Sequence, residues 1–301
     1  MVRQMFRRTV INWKIRASII ETGEGFMTIK LIATDLDGTF VDDRKNMIDE
    51  NIQALAACAE RGIQIVPATG RTIIGIPDEL KNLPGVRYAI TVNGAVVVDL
   101  KTEEVISSCL LKAETAVKIM ELVRDCEDDI MYDAYIGGVG YTRQSFWDNL
   151  AHYVPNQGIH DLVRKTRKPV PDNIEYIREN CEYVDKINLF FVKEEARVRM
   201  RNVLADIPGI LVSSSLSNNL EINAAGADKG NALIRLAAHL GIRQEETMAF
   251  GDGENDVSMI RMTGFGVAME NAEECVKAVA DHITVTNNEA GVAAAIRKFV
   301  L

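Results

Sequence analysis

The chain has 301 residues, enough for one large or two medium domains with cores of their own. A net charge of −9 argues against nucleic acid as the main partner, since a phosphate backbone demands clustered Lys and Arg, yet it leaves room for a small phosphorylated ligand held by one local cation. Five scattered cysteines (Cys58, Cys109, Cys126, Cys181, Cys275) with no Cys-x-x-Cys pair suit reduced thiols in a cytoplasmic protein. No apolar run approaches the 18 residues of a membrane span.

Residues 1–26 stand apart. Arg3, Arg7, Arg8, Lys14 and Arg16 all precede the first acid, Glu21, a pattern that faintly resembles an organelle transit peptide. Because Met27 directly precedes the first good strand, the simpler reading is an over-extended start or a disordered tail. That strand, Ile29 to Thr34, ends in Asp35-Leu36-Asp37-Gly38-Thr39. Two carboxylates two residues apart after an extended segment point the same way. Such an oxygen supply suits a hard cation like Mg2+, and Thr39 adds a hydroxyl and an N–H for an anion.

Asn46 is a plausible cap for a helix running to about Arg61, with Ile48, Ile52, Leu55, Ala56 and Ala59 on its apolar face and Gly62 as its stop. The strand Ile63 to Val66 then closes a right-handed βαβ unit, so its ending, Pro67-Ala68-Thr69-Gly70-Arg71, emerges beside Asp35 at the carboxyl edge of a parallel sheet. A third strand, Tyr88 to Val92, ends in the hairpin signal Asn93-Gly94, with returning strands Ala95 to Asp99 and Val105 to Leu110. Turn formation accounts for Asn93, and a ligand contact stays open because the turn follows a strand of the same sheet.

From residue 111 the rhythm changes. A helix (Glu114 to Cys126), the strand Ile130 to Tyr135, a turn with Gly137, Gly138 and Gly140, and a poorly patterned stretch to Pro171 come first. A helix (Ile174 to Asn180), the strand Lys186 to Val192, a charged helix (Glu194 to Ala205) and the strand Ile210 to Ser214 follow. None ends in a cluster of acids. The stretch reads as an inserted α/β module of residues 111–215, in which Trp147, Tyr135, Tyr141 and Arg143 have structural or surface roles ahead of substrate contacts.

The first rhythm is expected to return with Leu220-Glu221-Ile222. Asn231 to Leu240 then reads as a helix with Lys229 near its start, where the helix dipole disfavours a cation unless an anion sits at that N-terminus. The strand Thr247 to Phe250 runs into Gly251-Asp252-Gly253-Glu254-Asn255-Asp256. Carboxylates this close repel by roughly 4 kcal/mol per pair at 4 Å with an effective dielectric near 20, which a divalent cation offsets. Val257 to Met262 reads as a helix, Gly266 to Met269 as a last edge strand and Asn271 to Ala280 as another helix. There is no P-loop motif, and Gly264-Phe265-Gly266 is a poor dinucleotide fingerprint.

Asp-x-Asp-Gly-Thr, Ala-Thr-Gly-Arg, Lys-Gly before a helix and Gly-Asp-Gly-x-Asn-Asp, in that order, resemble the haloacid dehalogenase superfamily, and more narrowly its Cof-type phosphatases. The likeness covers residues 27–301. It implies a Rossmann-like α/β core with a parallel sheet (27–110 and 216–301) and an inserted α+β cap (111–215) that sets specificity. It further implies Asp35 as nucleophile, Asp37 as general acid and base, and Thr69 and Lys229 as phosphoryl-oxygen ligands, with Gly70 in the same turn. Mg2+ would be bound by the Asp35 carboxylate, the Asp37 carbonyl and Asp252, with Asp256 and Asn255 supporting it. Asn93 and Gly94 match a substrate-side turn. The expected partner is a small phosphorylated metabolite, with no nucleic acid or membrane, and the chain a monomer or homodimer. Two rivals stand beside the phosphatase: a phosphosugar mutase, and a non-catalytic phosphometabolite-binding protein, which predicts a missing nucleophile or acid.

Overall fold

The structure is a computed structural model that describes residues 28–155 and 157–301. The expectation of a disordered tail over residues 1–26 lies outside the described residues.

β1 (Leu31–Thr34) is aliphatic and buried along its whole length. α1 (Asp49–Glu60) follows, and β2 (Gln64–Pro67) pairs with β1 in parallel. The helix starts three residues after Asn46, which instead donates its backbone N–H and its amide to Asp42 and closes the preceding loop. Its buried face is Asn51, Ala54, Leu55 and Cys58, rotated from the expected stripe because Asn51 is a packing residue. The Asn51 side chain donates to the Phe40 carbonyl and accepts the N–H of Ala293, tying the helix to the C-terminal segment. β3 (Tyr88–Thr91), β4 (Val96–Asp99) and β5 (Val105–Ser108) form an antiparallel meander, joined to β2 by parallel bridges at Ile65–Val86 and Ala68–Ile90.

The insert begins with β6 (Leu111–Lys112) and α2 (Ala113–Arg124), then β7 (Ile130–Ile136) and β8 (Val139–Arg143). The stretch expected to be poorly patterned holds β8, two short helices (Gln144–Asp148 and Leu150–Tyr153), α3 (Gln157–Thr166) and β9 (Arg167–Val170). The two short helices and β9 are too short to display a period of their own. α4 (Asn173–Asn180), β10 (Tyr183–Val184), β11 (Lys186–Phe191), α5 (Glu194–Ala205), β12 (Ile210–Ser213) and β13 (Asn219–Ala224) complete it. Six strands lie in the order β12-β13-β11-β7-β8-β9, antiparallel except for the β8–β9 pair.

β13 corrects one expectation. Leu220-Glu221-Ile222 belongs to this second sheet, paired on both sides with β11 and β12, so the core resumes after Ala224 rather than at residue 216. Alternation sorts the sheet's two faces. Ala134, Ile187, Leu189, Leu220 and Ile222 pack in one apolar cluster with residues of α2, α4 and α5. Asp133, Tyr135, Lys186, Asn188, Glu221 and Asn223 alternate with them and are buried as well.

The core returns with α6 (Lys229–His239), β14 (Thr247–Gly251), α7 (Val257–Met262), β15 (Phe265–Ala268), β16 (His282–Ile283) and α8 (Gly291–Phe299). Its five-stranded sheet runs β16-β15-β14-β1-β2, all parallel. β15 is therefore internal, with β16 as the edge, and the helix expected over 271–280 is a single turn, Glu274–Lys277. β1 sits between β14 and β2, so the loops after all three open on one edge. Among the described residues no helix is long and apolar enough to cross a membrane.

Candidate active site

Asp35 is the first residue past β1, its N–H donated to the Phe250 carbonyl of the neighbouring strand. The glycine at 38 is a spatial requirement as much as a turn. Its φ is +85°, and a Cβ there would lie 2.2 Å from an oxygen of Asp252. Asp252 thereby packs against the opening motif and accepts the Thr39 hydroxyl at 2.6 Å. Thr39, noted as a donor for an anion, is spent on this carboxylate.

Lys229 is wholly buried. Its Nζ donates to Asp35 at 2.6 Å and to Asp256 at 2.6 Å. The two carboxylates resolve the dipole conflict of a cation at a helix start, and Asp228 caps the helix by accepting the Asn231 N–H. Asp256 uses its other oxygen to accept the N–H groups of Asp252 and Gly253, which curls the acidic turn around it.

One oxygen each from Asp35, Asp252 and Asp256 lies within 4.8 Å of the others, an all-oxygen donor set that suits a hard divalent cation. Burial pushes the Asp35 carboxyl well above the usual range, and the charges of Asp256, Asp252 and Asp37 add to this, while Lys229 opposes it. Burial, then the charge of Asp256, lifts Asp252 to about 7 despite its Thr39 hydrogen bond. Burial alone would lower the Lys229 pKa, but Asp256 and Asp35 outweigh it and hold the ammonium charged.

Asp37 behaves differently. Its oxygens take a fork from Arg71 (Nε 2.8 Å, Nη2 2.6 Å) and the Lys45 ammonium at 2.8 Å. Burial works against the charge, but these partners prevail and the carboxyl falls to about 2. Arg71 and Lys45 were not singled out from sequence. The Arg that closes Ala-Thr-Gly-Arg was the available signal.

Thr69 is buried just past β2, on the same edge as Asp35, and its hydroxyl accepts the Arg71 N–H at 3.1 Å. Asn93 has φ 59° and receives the amide of Asn255 on its Oδ1 at 3.1 Å. Asn255 thereby links the acidic turn to the turn at Asn93 through its amide nitrogen. Gly94 is a packing position: a Cβ there would meet the Asp228 carbonyl oxygen at 2.2 Å, against the start of α6. In the insert, Arg143 pairs with Asp172, Tyr141 stacks on Tyr176 at 4.5 Å, and Trp147 lies under Arg164. Tyr135 is buried beneath Arg167 and Lys186, and burial raises its phenol to about 12.

A carboxylate at the end of an internal parallel strand, hydrogen-bonded to a buried lysine and flanked by an acidic turn, thus brings residues of three of the four motifs together. The model of the haloacid dehalogenase-like hydrolases matches residues 32–296. The chain belongs to this family. A Bacillus subtilis relative, 5-amino-6-(5-phospho-D-ribitylamino)uracil phosphatase YcsE, is 32% identical over 276 residues, 91% of this chain and 96% of its own. Among solved structures, a haloacid dehalogenase-like hydrolase from Bacteroides thetaiotaomicron is 32% identical with a TM-score of 0.74, covering 90% of this chain and 99% of the other. The HAD subclass IIB sugar phosphatase BT4131 is 29% identical with a TM-score of 0.75, over 90% and 98%. The chain is a phosphatase of this superfamily, of the branch with an α+β cap set into a parallel-sheet core.

Proposed function

We propose that the protein is a Mg2+-dependent phosphatase that hydrolyses phosphate monoesters of small polyhydroxylated metabolites through an aspartyl-phosphate. The observation that carries this reading is the buried Asp35–Lys229 pair held against Asp252 and Asp256. Three carboxylates stand against one ammonium, which bonds two of them, and the surplus negative charge suits a divalent cation. Asp35, Asp252 and Asp256 would hold Mg2+, which when bound supplies the positive charge that lets a carboxylate meet a phosphate dianion.

An Asp35 oxygen attacks phosphorus, and the P–O bond to the ester oxygen breaks as that oxygen takes a proton from Asp37. A water then gives its proton back to Asp37 and attacks the same phosphorus, breaking the bond to Asp35 and releasing orthophosphate. Lys229 opposes the upward shift that burial imposes on Asp35 and so favours the carboxylate that attacks. The Arg71 and Lys45 contacts favour the carboxylate form of Asp37, the form the second step needs. For the first step the Arg71 fork has to open and Asp37 has to gain its proton. Thr69 accepts a hydrogen bond from Arg71 N–H, which leaves its own proton to donate to a phosphoryl oxygen.

The polyol preference rests on the relatives. One is named for a phosphorylated ribityl chain and one for sugar phosphates. The test is orthophosphate release from sugar phosphates, polyol phosphates and p-nitrophenyl phosphate, with Mg2+ and with EDTA. Metal-dependent release from several esters is the expected result. Retention of the phosphoryl group on sugar, dependent on a bisphosphate activator, would replace the phosphatase with a mutase.

A further inference from the structure

Lys186 and Glu221 sit opposite the apolar face of the cap sheet, on adjacent strands, and are 2% and 4% exposed. They pair at 2.6 Å. An ion pair of purely local use would bond within the cap, as Asp133 and Arg167 do at 2.6 Å. This one does not. Lys186 Nζ also donates to the Gly70 carbonyl of the core at 2.9 Å, and the second Glu221 oxygen accepts the Asn93 amide at 2.7 Å. Gly70 is shaped to the contact: a Cβ there would lie 2.7 Å from Asn93 Oδ1 and 3.5 Å from Glu221 Oε2.

The Gly70–Arg71 peptide is held at both ends. Its carbonyl accepts from Lys186, and its N–H donates to the Thr69 hydroxyl at 3.1 Å. A cation on the carbonyl polarises the peptide and strengthens the hydrogen bond made by its N–H. That bond orients the Thr69 proton away from the turn. Asn93 adds a second tie through its own N–H to the Thr69 carbonyl at 3.1 Å.

We propose that Lys186 and Glu221, though they belong to the cap, are positioning residues for the phosphate-binding turn Thr69-Gly70-Arg71. The inference rests on the phosphatase reading for what the turn binds. It assigns the pair to the phosphoryl group common to every substrate, not to the variable alcohol.

The experiment compares Lys186→Met, Glu221→Gln and the double variant Lys186→Met/Glu221→Met with wild type, each in the full-length protein. Two quantities are read: KM and kcat across esters with different alcohols, and the affinity for orthophosphate in the presence of Mg2+. KM is expected to rise by one common factor of about tenfold, the worth of a charge-assisted hydrogen bond, with the ranking of esters unchanged and orthophosphate weakened by the same factor. In a Thr69→Val background, Lys186→Met should add less than about twofold, since residues acting through one another are not additive. Lys186→Met leaves a buried carboxylate unpaired and can unfold the cap, whereas the double variant removes both charges and should keep the wild-type melting temperature.

Unchanged orthophosphate affinity in a folded double variant overturns the proposal. A reordering of the esters does so too, because it makes Lys186 a reader of the alcohol. Orthophosphate binding without turnover of any ester would sink the phosphatase reading alone, and the binding comparison would still decide the role of the pair.

Discussion

In the core, Lys229 bonds Asp35 and Asp256 while Asp252, the third carboxylate of the group, has only the Thr39 hydroxyl, whereas in the cap Asp133 is matched by Arg167 and Glu221 by Lys186. Both groups are buried, and burial raises the carboxyls of Asp35, Asp252 and Asp133 alike. The clusters differ in their charge balance. The one-to-one count among these four cap residues holds them without a metal, since each has a counterion and hydrogen bonds, and the neighbouring buried Asp185 is held by the Gly138 N–H instead. The three-to-one ratio in the core leaves carboxylates that either take protons or gather a cation. Buried charge by itself therefore does not mark a site. An unmatched surplus facing a sheet edge does.

The largest expected effect breaks the core cluster chemically. Asp35→Asn should lower kcat by roughly 10³-fold or more, as loss of a nucleophile does. Its melting temperature should stay level or rise, because one of the crowded carboxylates is gone. Steady-state phosphate release beside circular dichroism reads both, and retained turnover would remove Asp35 from its role.

Removing the cation from each cluster sharpens the contrast. Lys229→Met and Arg167→Met should each cost about 3–5 kcal/mol, the usual loss when a buried charge is left unpaired. Millimolar Mg2+ should restore part of the loss in Lys229→Met and none in Arg167→Met, as read by urea unfolding with and without metal. Equal recovery in both would mean that metal binds elsewhere.

The pH response follows from Asp252, whose carboxyl is lifted from 3.8 to about 7. Between these values the folded chain holds a proton that the unfolded chain lacks. Metal-free stability therefore rises as pH falls from about 7 toward 4, and is lost again as pH climbs through 7. Below that window the sign reverses. Asp37 and Glu246 are both held to about 2, so their contribution, full above the unfolded values, is lost as pH falls toward 2. Melting curves from pH 8 to pH 2 should peak near the lower end of the first window. Added Mg2+ should raise the melting temperature more at pH 8 than at pH 5, because protons compete for Asp252.

The smallest effect is expected where cap meets core in solvent. Arg201 forks onto Glu254 at 2.8 and 2.6 Å, with both side chains one-third exposed. Arg201→Gln should change stability by no more than about 1 kcal/mol, and by less in high salt. A larger loss would make this pair a structural lock between the two regions.

Much of the core was legible because each motif follows a strand whose apolar run is unbroken. Asp35 after β1, Thr69 after β2, and Asp252 to Asp256 after β14 needed only the right-handed crossover rule to share an edge. The chain near Glu221 misled for the opposite reason. Leu-Glu-Ile is a half-buried alternation in either sheet, and only its pairing with β11 and β12 assigns it to the cap. The resemblance implies a supporting metal role for Asn255, and no local pattern shows that its amide nitrogen reaches Asn93, 162 positions away. The polar residues of β7, β11 and β13 did carry a signal, since charges at alternate positions of a buried strand require partners.

What the sequence determined by itself is an inventory of groups: two carboxylates two residues apart, a hydroxyl, a lysine and an acidic turn, each at the end of a regular element. The tertiary structure decided which of these charges are matched. Lys229 meets Asp35 across 194 positions, and Lys186 reaches Gly70 across 116. No local pattern encodes such pairings, because they depend on which strands become neighbours and which faces are buried. Whether a carboxylate is poised for a cation or settled as structure depends on that surrounding charge, and the fold alone supplies it.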